Sequence, residues 1–279
     1  MDTIIGLGQA GCRLADEFEK YPQYDVFKID CHTNKAKNYL KITERPSHEE
    51  YEKKTRLRAA FFKNIKGPVL FILGGSGDVT GASLRILEKI KHLDVHILYI
   101  RPDVELLSET KRMQEKIVFG VLQEYTRSSI FKRMILVDNK SLESIIGQVP
   151  IIGYFESLNQ LIVSTVHMVN VFDNSDPVMN TFSSTLKTAK ICTFGILDID
   201  NGQEKNFFDL EHPREKKYYY AINKDELESA NDLFKKITDQ VKDKTTEKIK
   251  ASYGIFSTEY EKNYAYTISC ATLVQGQDL

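Results

Sequence analysis

The chain has 279 residues, 42% of them hydrophobic and 28% charged, with 38 basic against 39 acidic side chains and a formal net charge of −1. A chain of this length buries roughly 75% of its surface on folding and needs no covalent staple, and its balanced charge excludes a strongly basic nucleic-acid binder. Cys12, Cys31, Cys192 and Cys270 are scattered with no CxxC pair, which predicts neither a disulfide framework nor a zinc knuckle and fits a reducing cytoplasm.

The predicted elements begin with Thr3–Leu7, an apolar strand that stops in Gly6-Leu7-Gly8-Gln9-Ala10-Gly11. From Cys12 the pattern turns helical, with Leu14, Ala15 and Phe18 on one face. Tyr24–Asp30 reads as a second strand, and Ser47 to Lys66 as one charged helix capped by Ser47 with Glu49 and Glu50 in its first turn. Pro68–Leu73 is a continuous apolar run of the buried parallel kind, and it too ends in glycines, Gly74 to Gly81. Helix Ala82–Lys91, strand Val95–Ile100, helix Glu105–Glu124, strand Met134–Val137 and helix Ser141–Ile146 complete the alternation. Strands alternating with helices argue for a parallel α/β sheet.

A long helix over 153–172 follows and is broken at Asn174-Ser175-Asp176-Pro177. Beyond it the order changes to a helix, strand Lys190–Ile199, a polar loop to Lys217, strand Tyr218–Ile222, helix Lys224–Asp243 and two strands near Ser252–Ser257 and Tyr264–Val274. The predicted class is α/β: a parallel-sheet domain over 1–152, a connecting helix over 153–173, and a smaller α+β domain over 174–279. No apolar run approaches the roughly 18–20 residues of a membrane span, and the N-terminus lacks the basic and apolar regions of a signal peptide. A soluble cytoplasmic protein with no membrane partner and no direct nucleic-acid contact is expected.

Both glycine clusters sit where a strand ends and a helix begins, where helix N–H groups and the helix dipole can hold a phosphate. The first matches GxGxxG, and Asp30 follows about 20 residues on, at the end of the next strand, which is the dinucleotide fingerprint. A dinucleotide fold does not ask for the second cluster. Two glycine loops on neighbouring strands can clasp a triphosphate from two sides, although glycines alone also fit tight turns.

At this point the sequence resembles the tubulin/FtsZ family. Gly8-Gln9-Ala10-Gly11 matches the GQAG of the first phosphate loop, with Cys12 next to it, and Gly75-Ser76-Gly77-Asp78-Val79-Thr80-Gly81 is similar to the GGGTGTG signature in altered form. Leu136-Val137-Asp138-Asn139 resembles the segment beside the ribose, and Phe155-Glu156-Ser157-Leu158-Asn159 the start of the central helix. Arg101-Pro102 followed by Glu109 and Arg112 is similar to the Lys-Pro…Glu…Arg segment of FtsZ. The resemblance implies GTP or GDP, with Mg2+ as companion, bound by these residues and Asp30, with Phe155 stacking on the base and Asn159 reading its edge. It also implies head-to-tail self-assembly into filaments that position DNA, a phage particle or a division site through an adaptor. The short run Val274 to Leu279 implies no division-type docking tail.

The departures set alternatives. Asp78 and Val79 replace Thr and Gly in the signature. Asp78 is either a carboxylate that repels phosphate unless a cation intervenes, or a helix N-cap turned away from the ligand. After the central helix the family carries N-x-D-x-x-D/E, whose acids act on the nucleotide of the next subunit. Here Asn174 and Asp176 keep two positions and Met179 takes the third, so hydrolysis is expected to be slow. Asp176-Pro177 also reads as N-cap plus first-position proline.

Other residues carry bland expectations. His92 and His96 are four apart, but His96 lies in a strand, so no metal site is expected. Cys31-His32 lacks a companion base for nucleophilic chemistry. Cys12, at a helix N-terminus, is a candidate for a lowered thiol pKa. Tyr218-Tyr219-Tyr220 reads as strand, and the charge-rich stretch 224–250 as a solvated face. The leading reading is a nucleotide-dependent filament protein, followed by a tubulin-like scaffold that neither hydrolyses GTP nor polymerises alone, and then an NAD enzyme using GxGxxG and Asp30.

Overall fold

The structure, a computed structural model, describes residues 1–32 and 37–274. Two compact units divide the chain, Met1–Val163 and Ser164–Leu279. The first opens with β1 (Thr3–Leu7), α1 (Gly8–Phe18), β2 (Asp25–Asp30), β3 (Tyr39–Lys41), α2 (His48–Lys54) and α3 (Ala59–Phe62). It continues with β4 (Val69–Gly74), a 3₁₀ turn (Asp78–Ala82), α4 (Ser83–Ile90), β5 (Val95–Arg101), α5 (Glu109–Arg127), β6 (Arg133–Asp138) and α6 (Asn139–Ile146).

Its strands run parallel in the order β3-β2-β1-β4-β5-β6. The unbroken apolar runs of β1 and β4 bury every residue from Thr3 to Leu7 and from Val69 to Leu73, as expected of strands covered on both faces. The order reverses direction between β1 and β4. In such sheets the chains leaving the two central strands part to opposite faces and open a crevice at the carboxyl ends. Both glycine loops sit there.

Helix α7 (Tyr154–Asp173) follows, close to the expected span. The second unit holds β7 (Met179–Asn180), β8 (Ile191–Leu197), β9 (Glu204–Asn206), β10 (Glu215–Asn223), α8 (Lys224–Ser229), α9 (Leu233–Lys244), β11 (Lys250–Thr258) and β12 (Tyr264–Ala271). Its strand order is β8-β12-β10-β11-β7, with β9 on β8. Only the β10–β11 pair is parallel among these described pairings. The expected mixed α/β architecture, with a mostly parallel sheet followed by an α+β half, is what the chain adopts. Residues 275–279, on which the expectation of a missing tail rests, lie outside the described residues.

Several local expectations are corrected. The helix expected over 47–66 is two, α2 and α3, parted by an extended Thr55. Arg85 ends α2, donating to the carbonyls of Glu52 and Lys53 and, at 3.5 Å, of Thr55, which take up carbonyls the helix leaves open. The helix expected from Glu105 is a 3₁₀ turn (Val104–Leu106) capped by Asp103, then α5 capped by Ser108. Asp176-Pro177 starts no helix. The donors after the proline are taken by the β11 edge, Val178 N to Ile255 O at 2.8 Å and Thr181 N to Tyr253 O at 2.8 Å, and proline is tolerated beside such an edge. The expected helix over 224–243 breaks at Ala230–Asp232, and α9 is amphipathic rather than wholly solvated, burying Ile237 and Val241 against Tyr218, Tyr220 and Tyr253. The loop before β10 buries Phe207, Phe208 and Leu210.

The largest correction concerns sulfur. Cys192 and Cys270 stand opposite each other on β8 and β12, with Cα atoms 4.0 Å apart, and are joined as a disulfide. Scattered in sequence, they are brought together only by strand pairing.

Candidate functional site

The site is built from strand ends. In register, Leu7 of β1 faces Ile29 of β2 and Leu73 of β4, Gly74 faces Ile100, and Arg101 faces Asp138. Gly8, Asp30, the loop from Gly75, Arg101 and Asp138 therefore share the carboxyl edge of one sheet.

The two glycine loops touch each other. A β-carbon placed on Gly8 would lie 3.6 Å from that of Val79, and one on Gly74 would lie 3.3 Å from that of Ala10. Gly8 has φ +69°, open to glycine and strained for other residues. Gly11 has a different reason to be glycine: a β-carbon there would run into the carbonyl oxygen of Ile72, so its absence lets α1 lie on β4. Helix α1 begins without a side-chain cap and without an acid in its first turn, and the 3₁₀ turn after Gly77 also lacks a side-chain cap. Neither turn therefore has a side chain at its cap position to accept its first amides. Gln9 and Ala10 are exposed, and the space beside Gly77 is open. Thr80 donates its hydroxyl back to Gly77 O at 2.5 Å, closing the turn, and Gly81 packs against the His48 carbonyl of α2.

Asp78 does not cap the turn that follows it. It is the first residue of the 3₁₀ turn rather than its cap, which is Gly77, and its carboxylate is ion-paired with Lys111 of α5. Ser76 lies between the glycines, half-buried.

Asp30 is only 6% exposed, and its carboxylate accepts from the Cys31 amide at 2.8 Å. Asp138 caps α6, accepting from the Ser141 amide at 2.7 Å and its hydroxyl at 2.9 Å. Arg112 ties down the turn before α5, donating to Leu107 O at 3.0 Å and Glu105 O at 3.2 Å, while Glu109 opens that helix. In the first turns of α7, Phe155 is 54% exposed and Asn159 half-buried. Tyr154 anchors this end by donating its hydroxyl to Glu143 of α6.

Cys12 corrects an expectation. Its thiol lies 3.5 Å from Gly6 O and 3.7 Å from Ile29 O. Burial, helped by the Asp30 carboxylate, pushes its pKa up to about 12, opposite to the expected lowering. His92 and His96 share no helix, and no group of three candidate metal ligands occurs among the described residues.

In the second unit, Asn174 donates its amide to Asn170 O at 2.7 Å and closes the end of α7. Asp176 is exposed just beyond it, and Met179 lies in β7 opposite Ile255.

Two groups escaped the sequence reading. Glu115 of α5 is buried, accepts the Tyr99 hydroxyl at 3.1 Å, and lies 3.5 Å from Arg101 Nε. Burial pushes its carboxyl pKa up, against the pull of Arg101. Lys111 is the other, and an acid in an otherwise neutral loop was the signal that a cation would be found nearby.

No protein-family model and no curated protein matches the chain. Among solved structures it is similar to the GTPγS-form protofilament of TubZ from Bacillus thuringiensis serovar israelensis, at TM-score 0.69 and 16% identity over 96% of this chain and 86% of that one. An empty FtsZ dimer from M. jannaschii matches at TM-score 0.67 and 12% identity, over 96% and 87%. CetZ from Methanosaeta thermophila matches at 0.66 and 15%, over 98% and 86%. No helix among the described residues is long and apolar enough to cross a membrane. The parallel strand order, the paired glycine loops and these full-length likenesses together give this chain the tubulin/FtsZ-like fold.

Proposed function

We propose that the chain is a guanine-nucleotide-binding cytoskeletal protein that assembles head to tail into filaments. The observation that carries this reading is the pair of glycine loops touching at the reversal between β1 and β4, both with uncapped amides at the crevice. Gly8 to Cys12 and Gly75 to Gly81 would hold the phosphates of GTP or GDP with accompanying Mg2+. Glu109, Arg112, Asp138 and Asp30 would shape the ribose side, and Phe155 and Asn159 would face the base. The uncapped amides supply donors in fixed positions, the arrangement that binds phosphate at helix N-termini.

The similar TubZ structures include protofilaments and a two-stranded filament, which supports self-association here. A head-to-tail contact uses two different surfaces and does not close, so it propagates as a filament. In such a contact Asn174 and Asp176 of one subunit would meet the nucleotide of the next. One carboxylate can orient a water, so slow hydrolysis coupled to assembly is the activity proposed. An adaptor linking the filament to cargo, and a cytoplasmic site of action, belong to the same reading.

Sedimentation with a slowly hydrolysed GTP analogue, with GDP and without nucleotide tests it. Pelleting with the analogue alone supports the reading, and Asp176→Ala should then preserve pelleting while reducing phosphate release. No pelleting up to tens of micromolar across salt and magnesium concentrations overturns assembly. Asp78 and Val79 in the second glycine loop, with Met179 in the third position of the later loop, favour a second reading, a scaffold or regulator of the same fold that neither hydrolyses GTP nor polymerises alone, which predicts no stabilisation by GTP.

A further inference from the structure

We propose that Lys111 is a polyphosphate-binding side chain held at the second glycine loop by Asp78, and that this pair sets how tightly the loop accepts a nucleotide. The inference rests on the nucleotide-binding reading and adds a residue that the glycine loops alone do not supply.

The loop carries a carboxylate where a phosphate cradle tolerates none: an ionised acid a few ångströms from a polyphosphate repels it. Asp78 opens the 3₁₀ turn at the loop's end, and its Oδ1 is paired with Lys111 Nζ, 33 residues on in α5. The Lys111 side chain is 31% exposed and that of Asp78 40%, so the pair stands at the surface rather than in the core. Lys111 reaches the loop because α5 starts at Glu109, where Ser108 caps it and Arg112 pins the preceding turn.

A third group lies beside them. His48 of α2, whose carbonyl packs on Gly81, is subject to the fields of both Asp78 and Lys111, and its buried Nε2 has no hydrogen-bond partner.

An ammonium has three donors and Asp78 occupies one, which leaves two for phosphate oxygens. The pair is neutral as a unit, so the loop presents donors without a net negative charge. Removing the lysine exposes the carboxylate to the ligand; removing the carboxylate releases the lysine to it. The two substitutions therefore act in opposite directions, a signature that a merely structural ion pair does not give.

The test is equilibrium binding of a fluorescent GTP derivative, at fixed magnesium and low salt, to the full chain. The variants are Lys111→Ala, Asp78→Ala and the double substitution, with Lys111→Gln and Asp78→Asn as conservative seconds. Thermal unfolding without nucleotide reports whether each variant folds. Lys111→Ala is expected to weaken binding tenfold or more and Asp78→Ala to tighten it about threefold, with the lysine change costing less when Asp78 is already absent. Unchanged affinity in Lys111→Ala, or weaker binding in Asp78→Ala, overturns the inference while leaving the nucleotide reading standing. Absence of binding by the unsubstituted chain overturns both.

Discussion

Gly8 and Val79 face each other across the seam of the two glycine loops, and a β-carbon at position 8 would make only ordinary contact with the valine, at 3.6 Å. Space is not what keeps a side chain out of position 8; the left-handed backbone at φ +69° is. Gly8→Ala is expected to destabilise the chain by about 1 kcal/mol. At Gly11 the obstacle is the Ile72 carbonyl, which belongs to the central strand and has nowhere to go. Gly11→Ala should therefore cost more than Gly8→Ala in urea denaturation. Equal losses would mean that α1 can shift on β4.

The disulfide predicts how many thiols react. Cys12 and Cys31 are free and Cys192 and Cys270 are bonded. Protein denatured in iodoacetamide without reductant should gain two adducts, and four after reduction. Four adducts in the unreduced sample would refute the bond. The closed loop spans 78 residues, so on the chain-entropy account Cys270→Ser should cost about 4 kcal/mol.

His96 gives a pH dependence. Burial, reinforced by the neighbouring Arg133, the N-terminal ammonium and Lys132, pushes its pKa down to about 4, against Asp94. The unfolded imidazole titrates near 6.5, so between these values the unfolded chain binds the additional proton. Stability is thus complete above about pH 6.5 and declines as the pH falls towards 4, by about 2 kcal/mol for this partly buried group. His96→Gln should flatten that limb relative to the parent. An NMR titration placing His96 above 6 would contradict it.

Glu115 holds two partners from β5. Glu115→Ala leaves the Arg101 guanidinium beside an apolar methyl and removes the acceptor of Tyr99, with an expected loss of about 2 kcal/mol or more. Glu115→Gln keeps an acceptor for Tyr99 and should lose less. A smaller loss for alanine than for glutamine would show that a polar group at this buried position is a burden rather than a support.

The parallel half and its glycine loops were legible because their signals are local: an apolar run, a glycine cluster, then helical spacing. What stayed hidden depends on residues distant in sequence. The break after α2 comes from Arg85, about 30 residues later, and the disulfide from the register of β8 on β12. Asp138 and Asp30 were readable as strand-end acids, but not their engagement by Ser141 and Cys31. Asp176-Pro177 has the local form of a helix start, and an available sheet edge outcompeted it. Asp78 signalled a nearby cation, but not that it would be Lys111, since that depends on where α5 begins.

The three consecutive tyrosines of β10 present a problem of identity, because a strand carrying the same side chain three times could slide by one residue with little change in apolar packing. One hydroxyl bond and the residues that flank the triplet oppose it. Tyr218 donates to Glu204 at 3.1 Å, Tyr219 to Asp173 at 2.7 Å and Tyr220 to Gln240 at 3.2 Å. The first and third face one side of the sheet and the second the other, so a one-residue slip would still seat tyrosines in two of the three places; it would strand one acceptor and force Lys217 or Ala221 into the third, buried place. Register in this repetitive strand is thus encoded at the ends of the triplet, by Lys217 and Ala221, rather than by the repeated residue, and substituting phenylalanine throughout would keep the bulk while removing the one hydroxyl bond that a slip strands.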